Sequence, residues 1–213
     1  PKSAAVPDLV TSGLPTVAVR CPDHPVAQAV LRAFGGPLAA PSANRFGRIS
    51  PTTAQAVEAE LGDEVPLVLD GGPCRVGLES TILDLAHRHP RIVRRGGLLP
   101  AAIEAVLGHP VPVERPDHVA APGVLDVHYA PRTPLYRLDR PLPPAQALPA
   151  GLGYLYWRRP AGTLPPGACV LSEAGDDREA AVRLFAHLRA LDAGGHARIV
   201  AEPVPPAGLG AAV

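Results

Sequence analysis

The sequence lacks methionine altogether and has a single lysine, Lys2, among its 213 residues. Its 20 Lys and Arg are balanced by 20 Asp and Glu. This balance argues against a protein that binds nucleic acid without sequence preference, because the affinity of such binding rises with the number of basic contacts to phosphate. Three widely spaced cysteines, Cys21, Cys74 and Cys169, form no C-x-x-C pair and predict reduced thiols in a cytoplasmic protein. No apolar run approaches the ~18 residues that a membrane-spanning helix needs. Because translation starts with methionine, its absence leads us to expect a fragment.

Aromatic residues are also scarce, at 4% of the chain, whereas Gly (21) and Pro (28) are abundant. Hydrophobic residues nevertheless make up 46% and charged residues 19%, so the composition differs from the low hydrophobicity and high charge of disordered chains. Short apolar runs alternate with helix-like patterns along the sequence. We therefore expect a folded protein of the α/β class.

Residues 1–109 are predicted to form the first α/β domain. Its apolar runs predict strands at 16–20, 37–40, 65–70, 80–85 and 91–94. Asp23 and Ser50 each precede a helical pattern as possible N-cap residues, and Pro51 suits the first helical position. Another helix is predicted from Pro100 to Leu107, where Gly108 ends it.

A proline-rich linker is predicted at 110–134, followed by a smaller α/β domain at 135–213. Its strands are predicted at 135–138, 153–157, 169–172 and 198–201. Asp176 is predicted to cap its main helix, with Glu179 completing a capping box. The predicted buried face of that helix consists of Ala181, Leu184, Phe185, Leu188 and Leu191.

The loop at 40–51 is the first candidate site. It lies between a predicted strand and a predicted helix, where open α/β sheets bind ligands. Ser42, Asn44 and Ser50 offer hydroxyl and amide groups, and a helix N-terminus near Ser50 would offer backbone N–H groups to a phosphate. The alternative is an ordinary polar turn in which Ser50 only caps the helix.

A second group of candidates follows in the chain. The segment Gly77–Thr81 is not a G-x-S-x-G nucleophile elbow, so Ser80 is interpreted as a hydrogen-bond donor. Arg94 and Arg95 end a strand, where adjacent side chains face opposite ways, so one of them could bind phosphate or carboxylate while the other faces solvent. The alternative is that both are solvated charges. The histidines lack metal-ligand spacing, and neither a Walker loop nor G-x-G-x-x-G is present.

Several short motifs occur in a fixed order along the whole chain. They are Thr16–Arg20, Pro41–Asn44, Ser50–Thr52, Leu69–Gly72, Gly77–Thr81 and Ile92–Arg94 with Gly96, followed by Ala121–Gly123, His128–Pro131 and Ala201–Pro203. Together they closely resemble the threonylcarbamoyl-AMP synthase family, in its branch with a YrdC-type domain and a C-terminal domain. The resemblance implies that residues 1–109 are the C-terminal part of a YrdC-type domain with a twisted open sheet. It further implies that the linker at 110–134 leads to a small Rossmann-like α/β domain.

The resemblance also implies an activity: synthesis of threonylcarbamoyl-adenylate and pyrophosphate from L-threonine, bicarbonate and ATP, for threonylcarbamoyl modification of tRNA by downstream transfer machinery. Mg²⁺ would accompany ATP, with no tightly bound cofactor and no protein nucleophile. The residues implied to bind ATP are Thr16, Ser42, Asn44, Ser50, Arg94 and Tyr129. Those implied to bind threonine are Arg20, the backbone around Ala40, and Ser80.

The family's Lys-x-Arg nucleotide motif has no counterpart around Lys2, so we expect this piece by itself to have little or no activity. A rival interpretation is an RNA-binding or regulatory module without catalysis, with double-stranded RNA among its expected ligands. A second rival is a carbamoyl-transfer enzyme of the hydrogenase-maturation kind, but the acylphosphatase-like and zinc-finger segments of that class are not visible in the sequence.

Overall fold

The computed structural model describes residues 1–114 and 129–213. Most of the predicted linker, including the motif Ala121–Gly123 and His128, lies outside the described residues. We call residues 1–114 the N-terminal unit, 129–134 the connecting segment and 135–213 the C-terminal unit. Both units are α/β, as the sequence predicts, but their sheets differ in kind: one is a two-stranded antiparallel pair and the other is parallel.

The N-terminal unit contains four α-helices and two strands in its described part. They are α1 (Asp8–Thr11), α2 (Pro25–Phe34), α3 (Ala54–Leu61), β1 (Ile82–Asp84), β2 (Arg91–Arg94) and α4 (Pro100–Leu107), with a short 3₁₀ turn at Gly62–Glu64. The predicted strand at 91–94 and helix at 100–107 are confirmed, and β1 lies within the predicted 80–85. A small core of Ile92, Ile103 and Val111 joins α4 to the β1–β2 pair.

Three predicted strands of this unit are wrong: 16–20, 37–40 and 65–70 are not strands. A strand exists only where a neighbouring backbone completes its hydrogen bonds, and these segments pair with no strand in the described part of the chain. Their apolar side chains are correspondingly exposed, with Val19 at 87% and Leu67 at 70%. The apolar pattern identified segments suited to a sheet, but the pattern alone does not supply a partner.

The predicted caps of α2 and α3 are also wrong. His24, not Asp23, is the residue before α2, and its side chain makes no capping hydrogen bond. Helix α3 starts after Thr53, whose hydroxyl accepts a hydrogen bond from the backbone N–H of Ala56 at 3.2 Å. A threonine closer to the first helical turn therefore takes the capping role assigned to Ser50.

The C-terminal unit confirms its predicted elements to within one or two residues. Its elements are β3 (Leu135–Arg137), β4 (Gly153–Arg158), β5 (Ala168–Ser172), α5 (Asp177–Ala193) and β6 (Ile199–Ala201), with 3₁₀ turns at Ala145–Ala147 and Gly208–Ala211. All strand pairs are parallel, in the order β3-β6-β4-β5. The predicted face of α5 is buried against this sheet.

Asp176 caps α5 as predicted, accepting a hydrogen bond from the backbone N–H of Glu179 at 2.7 Å. The reciprocal half of the capping box is not formed. The N–H of Asp176 instead donates to Ser172 Oγ at 2.8 Å, and Ser172 donates to the Glu179 carboxylate at 2.5 Å. Ser172 is completely buried, so the end of β5 and the start of α5 share one polar network.

The two units pack directly on each other. Ile49 of the N-terminal unit is 3% exposed and belongs to the core formed by α5 and the parallel sheet. Gly77 lies so close to α5 that a Cβ there would be 2.3 Å from the carbonyl oxygen of Ala181. Among residues 1–114 and 129–213, no helix is long and apolar enough to cross a membrane.

Candidate functional site

The loop before α3 is closed by its own asparagine. Asn44 Nδ2 donates to the carbonyl oxygens of Arg45 at 2.9 Å and Arg48 at 3.3 Å. Gly47 has a φ of 76°, in the left-handed region that glycine tolerates best. The loop thereby turns back and carries Ser50 inward, where it is 6% exposed. Asn44 thus shapes the loop that the sequence identified as a site.

Ser50 faces a carboxylate rather than solvent. Its Oγ donates to Glu79 Oε1 at 2.7 Å, which joins the first candidate loop to the segment Gly77–Thr81. Glu79 was not among the site residues predicted from the sequence. The feature of the sequence that could have indicated a role for Glu79 is that it is the acidic residue of this motif and immediately precedes Ser80.

The backbone of 79–81 is held against the end of β2 by very close packing. Gly97 N–H donates to the carbonyl oxygen of Glu79 at 3.0 Å, and Thr81 Oγ1 donates to the carbonyl oxygen of Leu98 at 2.6 Å. A Cβ on Gly96 would lie 2.2 Å from that same Glu79 oxygen. Glycine at 96 is therefore what allows Glu79 and Ser80 to lie beside Arg94.

Arg94 joins the parts of the site. Its Nε and Nη2 donate to the carbonyl oxygen of Ser80 at 3.1 and 2.8 Å, and its Nη1 donates to the Tyr129 hydroxyl at 3.2 Å. A carboxylate oxygen of Glu79 lies 4.0 Å from Nη2. The Arg94 side chain is only 10% exposed, whereas Arg95 faces solvent. The predicted alternation of the two arginines is confirmed.

Tyr129 reaches this group from the connecting segment. Its backbone φ is 60°, an uncommon value for a non-glycine residue. Its ring packs against Phe185 of α5, with centroids 5.7 Å apart. Burial, followed by the charge of Glu79, raises the pKa of Tyr129 above its usual value, with Arg94 opposing the rise. The phenol therefore stays protonated at neutral pH.

These residues form what we call the site cluster: Ser50, Glu79, Ser80, Arg94 and Tyr129. The other predicted residues are arranged less closely. Ser42, Arg20 and Ala40 are exposed, and Thr16 is partly buried. In the part of the chain that the structure describes, none of these four hydrogen-bonds to the cluster, although the charge of Arg20 is near enough to lower the pKa of Tyr129 slightly.

The chemistry of the cluster is that of charge and hydrogen bonding. Desolvation and the charge of Glu79 raise the pKa of the nearby Cys74 thiol, so this cysteine is not activated as a nucleophile. Across residues 1–114 and 129–213, no three His, Cys, Asp or Glu side chains gather as a metal site. A buried guanidinium beside hydroxyl groups is suited to hold phosphate or carboxylate oxygens.

Fold and cluster together define a two-unit α/β protein with a charged polar cluster where the units meet. A family model described as "Telomere recombination" matches residues 1–96, and one described as "Threonylcarbamoyl-AMP synthase, C-terminal domain" matches 99–213. The chain belongs to the threonylcarbamoyl-AMP synthase family.

Named relatives and solved structures agree with this assignment. The chain is 36% identical to threonylcarbamoyl-AMP synthase of Bacillus subtilis and 37% identical to that of Pyrococcus abyssi, with 100% of the chain aligned in both. The crystal structure of P. abyssi Sua5 complexed with L-threonine superposes with a TM-score of 0.87 at 34% identity, also over 100% of the chain. The chain spans 65% and 66% of the lengths of the two relatives, and 66% of the solved chain.

Proposed function

We propose that this chain forms part of an L-threonylcarbamoyladenylate synthase, which joins L-threonine, bicarbonate and ATP into threonylcarbamoyl-adenylate and releases pyrophosphate. The convergence of Ser50, Glu79, Arg94 and Tyr129 in one cluster is the observation that carries the proposal. Family membership and a relative crystallised with L-threonine support it.

Arg94 and its neighbours would bind the nucleotide. The guanidinium of Arg94 presents several N–H donors in a fixed plane, which suits phosphate oxygens. We propose the ATP-binding set Thr16, Ser42, Asn44, Ser50, Arg94 and Tyr129. Glu79 keeps Ser50 and Arg94 side by side, and the protonated phenol of Tyr129 adds a polar group without adding negative charge.

Threonine would bind on the neighbouring side of the cluster. Arg20 would pair with the threonine carboxylate, while Ser80 and the backbone around Ala40 would supply hydrogen bonds. The exposed guanidinium of Arg20 is within electrostatic reach of Tyr129, which supports placing the two ligands next to each other. Pairing the carboxylate with Arg20 would leave the threonine amine free to react with bicarbonate.

The reaction needs positioning and charge neutralisation rather than a protein nucleophile. The threonine amine attacks the carbon of bicarbonate, water leaves, and a carbamate oxygen then attacks the α-phosphorus with departure of pyrophosphate. Arg94 would stabilise the charge that develops on the phosphate oxygens. Mg²⁺ would be held chiefly by phosphate oxygens and water, because Glu79, the carboxylate of the cluster, already accepts from Ser50 and faces Arg94.

The test is pyrophosphate release by the protein that the native gene encodes, with threonine and bicarbonate each omitted in turn. Arg94→Lys keeps the charge but loses the planar set of donors, so we expect kcat/KM for ATP to fall about 10- to 100-fold. Arg95→Lys is the matched control and should stay within about twofold. Release that is independent of threonine, or equal losses in both variants, would contradict the proposal.

A second measurement tests the threonine site separately. Calorimetry of L-threonine binding to the ATP-bound protein should show a loss of about tenfold or more in affinity for Arg20→Ala, because the threonine carboxylate would lose its charged partner. Unchanged affinity would remove Arg20 from the threonine site. We further propose that the adenylate passes to a tRNA threonylcarbamoyl-transfer step and that the protein is cytoplasmic, in keeping with its three free cysteines.

A further inference from the structure

Two ion pairs connect the end of α5 to the N-terminal unit. The first is made by Arg189, whose Nη1 donates to Glu60 Oε2 at 3.0 Å. The Nη2 of the same arginine donates to the backbone carbonyl oxygen of Ile49. Glu60 is only 9% exposed and Arg189 21%, so the pair is largely shielded from solvent. One side chain of α5 thus holds the residue immediately before Ser50.

The second pair is made by Asp192, one turn further along α5. Its Oδ2 accepts from Arg48 at 3.3 Å, and its Oδ1 accepts from the backbone N–H of Thr133 at 2.7 Å. Its side chain is 12% exposed. One carboxylate therefore connects the loop that leads into Ser50 with the segment that follows Tyr129.

The loop and the connecting segment also touch each other directly. The N–H of Ala130 donates to the carbonyl oxygen of Gly47 at 2.9 Å, and Arg48 and Ala130 form an isolated parallel bridge. The loop carries Ser50 to its contact with Glu79, and the connecting segment carries Tyr129 to its contact with Arg94. We call Arg48, Glu60, Arg189 and Asp192 the interdomain clamp.

Shielded ion pairs add little net stability, because the loss of hydration offsets much of the attraction; their best-attested use is to select one arrangement over others. The clamp joins segments that are far apart in sequence, 144 positions for Arg48 and Asp192. Both α5 residues of the clamp contact the chain close to a site residue. Arg189 binds the carbonyl oxygen of Ile49, next to Ser50, and Asp192 binds Arg48 and Thr133, near Ser50 and Tyr129 respectively. A role limited to stability would not require that placement.

We propose that Asp192 and Arg189 are positioning residues, through which the C-terminal unit sets Ser50 and Tyr129 in the arrangement that binds the nucleotide. The inference rests on the proposed function for its effect on ATP. Amide hydrogen exchange reports on the two segments without any measurement of enzyme activity. The positioning role and the proposed reaction can therefore be refuted independently.

The experiment compares wild type with Asp192→Asn in the protein that the native gene encodes. Asparagine keeps the acceptor for Thr133 N–H but loses the charge that attracts Arg48. We expect faster amide hydrogen exchange at Ala130 and in the loop at 47–50, and an ATP Kd raised about tenfold. Once ATP is saturating, kcat should change by less than about threefold, because no clamp residue belongs to the proposed ATP- or threonine-binding set.

Arg48→Gln removes the same ion pair from the other side and leaves the Thr133 contact intact. It should shift exchange and ATP affinity in the same direction, and it keeps the test valid if Asp192→Asn folds poorly. Glu173→Gln is the control, because Glu173 pairs with Arg159 in the C-terminal unit and both side chains are about half exposed. This variant should match wild type.

Lowered thermal stability with unchanged exchange at 47–50 and 130 and unchanged ATP Kd would overturn the positioning role. Faster exchange at both segments with unchanged ATP Kd would also overturn it. If wild type releases no pyrophosphate while Asp192→Asn still exchanges faster and binds ATP more weakly, the proposed reaction is refuted and the positioning role stands.

Discussion

Gly96 offers a sharp test of how the site is built. A Cβ at this position would lie 2.2 Å from the Glu79 carbonyl oxygen, 2.5 Å from the Ser80 carbonyl carbon and 2.5 Å from the Thr81 nitrogen. All three are backbone atoms, so no side-chain rotation can relieve the overlap. In Gly96→Ala, the segment carrying Glu79 and Ser80 must move away from β2.

The cost of such overpacking is typically ~1–3 kcal/mol, and we expect the upper end because the clash involves backbone on both sides. For a protein of this length, a loss of ~3 kcal/mol lowers Tm by roughly 6–12 °C. Far-UV circular dichroism would measure the transition. The single tryptophan, Trp157, lies in β4, so its fluorescence reports the C-terminal unit separately and should shift less.

Gly36→Ala is a matched control, because a Cβ there would meet only the Phe34 ring at 3.7 and 3.8 Å, ordinary contact distances. We expect its Tm to be unchanged or slightly higher, since alanine reduces the freedom of the unfolded chain. Exchange of the Gly97 N–H, which bonds to Glu79 O at 3.0 Å, should accelerate only in Gly96→Ala. Equal Tm values for the two variants would refute the close-packing argument.

Three further predictions concern local stability. Asp176→Ala removes the side-chain cap of α5 and should cost about 1 kcal/mol in denaturant unfolding, with faster exchange at the Glu179 N–H; an unchanged midpoint would show that the cap is redundant. Ile92→Val, at a fully buried position, should cost ~0.5–1.5 kcal/mol, and no loss would indicate a loosely packed core. Burial raises the pKa of Asp84, but the Ala86 N–H, Arg91 and His87 outweigh it and leave that pKa below its usual value. Its stabilising contribution is therefore present above about pH 4 and is lost as pH falls through the folded-state pKa. Asp84→Asn should destabilise at pH 7 by about 1–2 kcal/mol and match wild type at low pH, whereas a pH-independent difference would rule out the charge.

Much of the fold could be predicted because it depends on local patterns. The C-terminal unit has short β-branched and aromatic runs, a long amphipathic helix and a strong N-cap at Asp176, and each of these signals lies within a few residues. The strand Arg91–Arg94 and the helix Pro100–Leu107 were predicted for the same reason. The shielding of Arg94 and the exposure of Arg95 agree with the prediction from strand geometry, although Arg95 lies just beyond the end of β2.

What depends on partners distant in sequence could not be predicted. The segment Thr16–Arg20 has the pattern of a strand, but pairing requires another backbone beside it, which no local pattern can specify. Ser50 suited a helix cap by sequence, yet its hydroxyl bonds to Glu79, a residue 29 positions away. The contacts of Asp192 with Arg48 and Thr133 depend on the packing of α5 against the N-terminal unit.

The amino-acid sequence by itself therefore determined the α/β class, the elements of the C-terminal unit and the motifs that carry the family resemblance, because each is encoded in neighbouring residues. Only the tertiary structure decided that Glu79 lies between Ser50 and Arg94 and that Tyr129 contacts Arg94. It also decided that α5 binds both the loop before Ser50 and the segment after Tyr129. The physical reason is that these contacts form between segments brought together by packing, where burial and close backbone approach, rather than local propensity, select the partners.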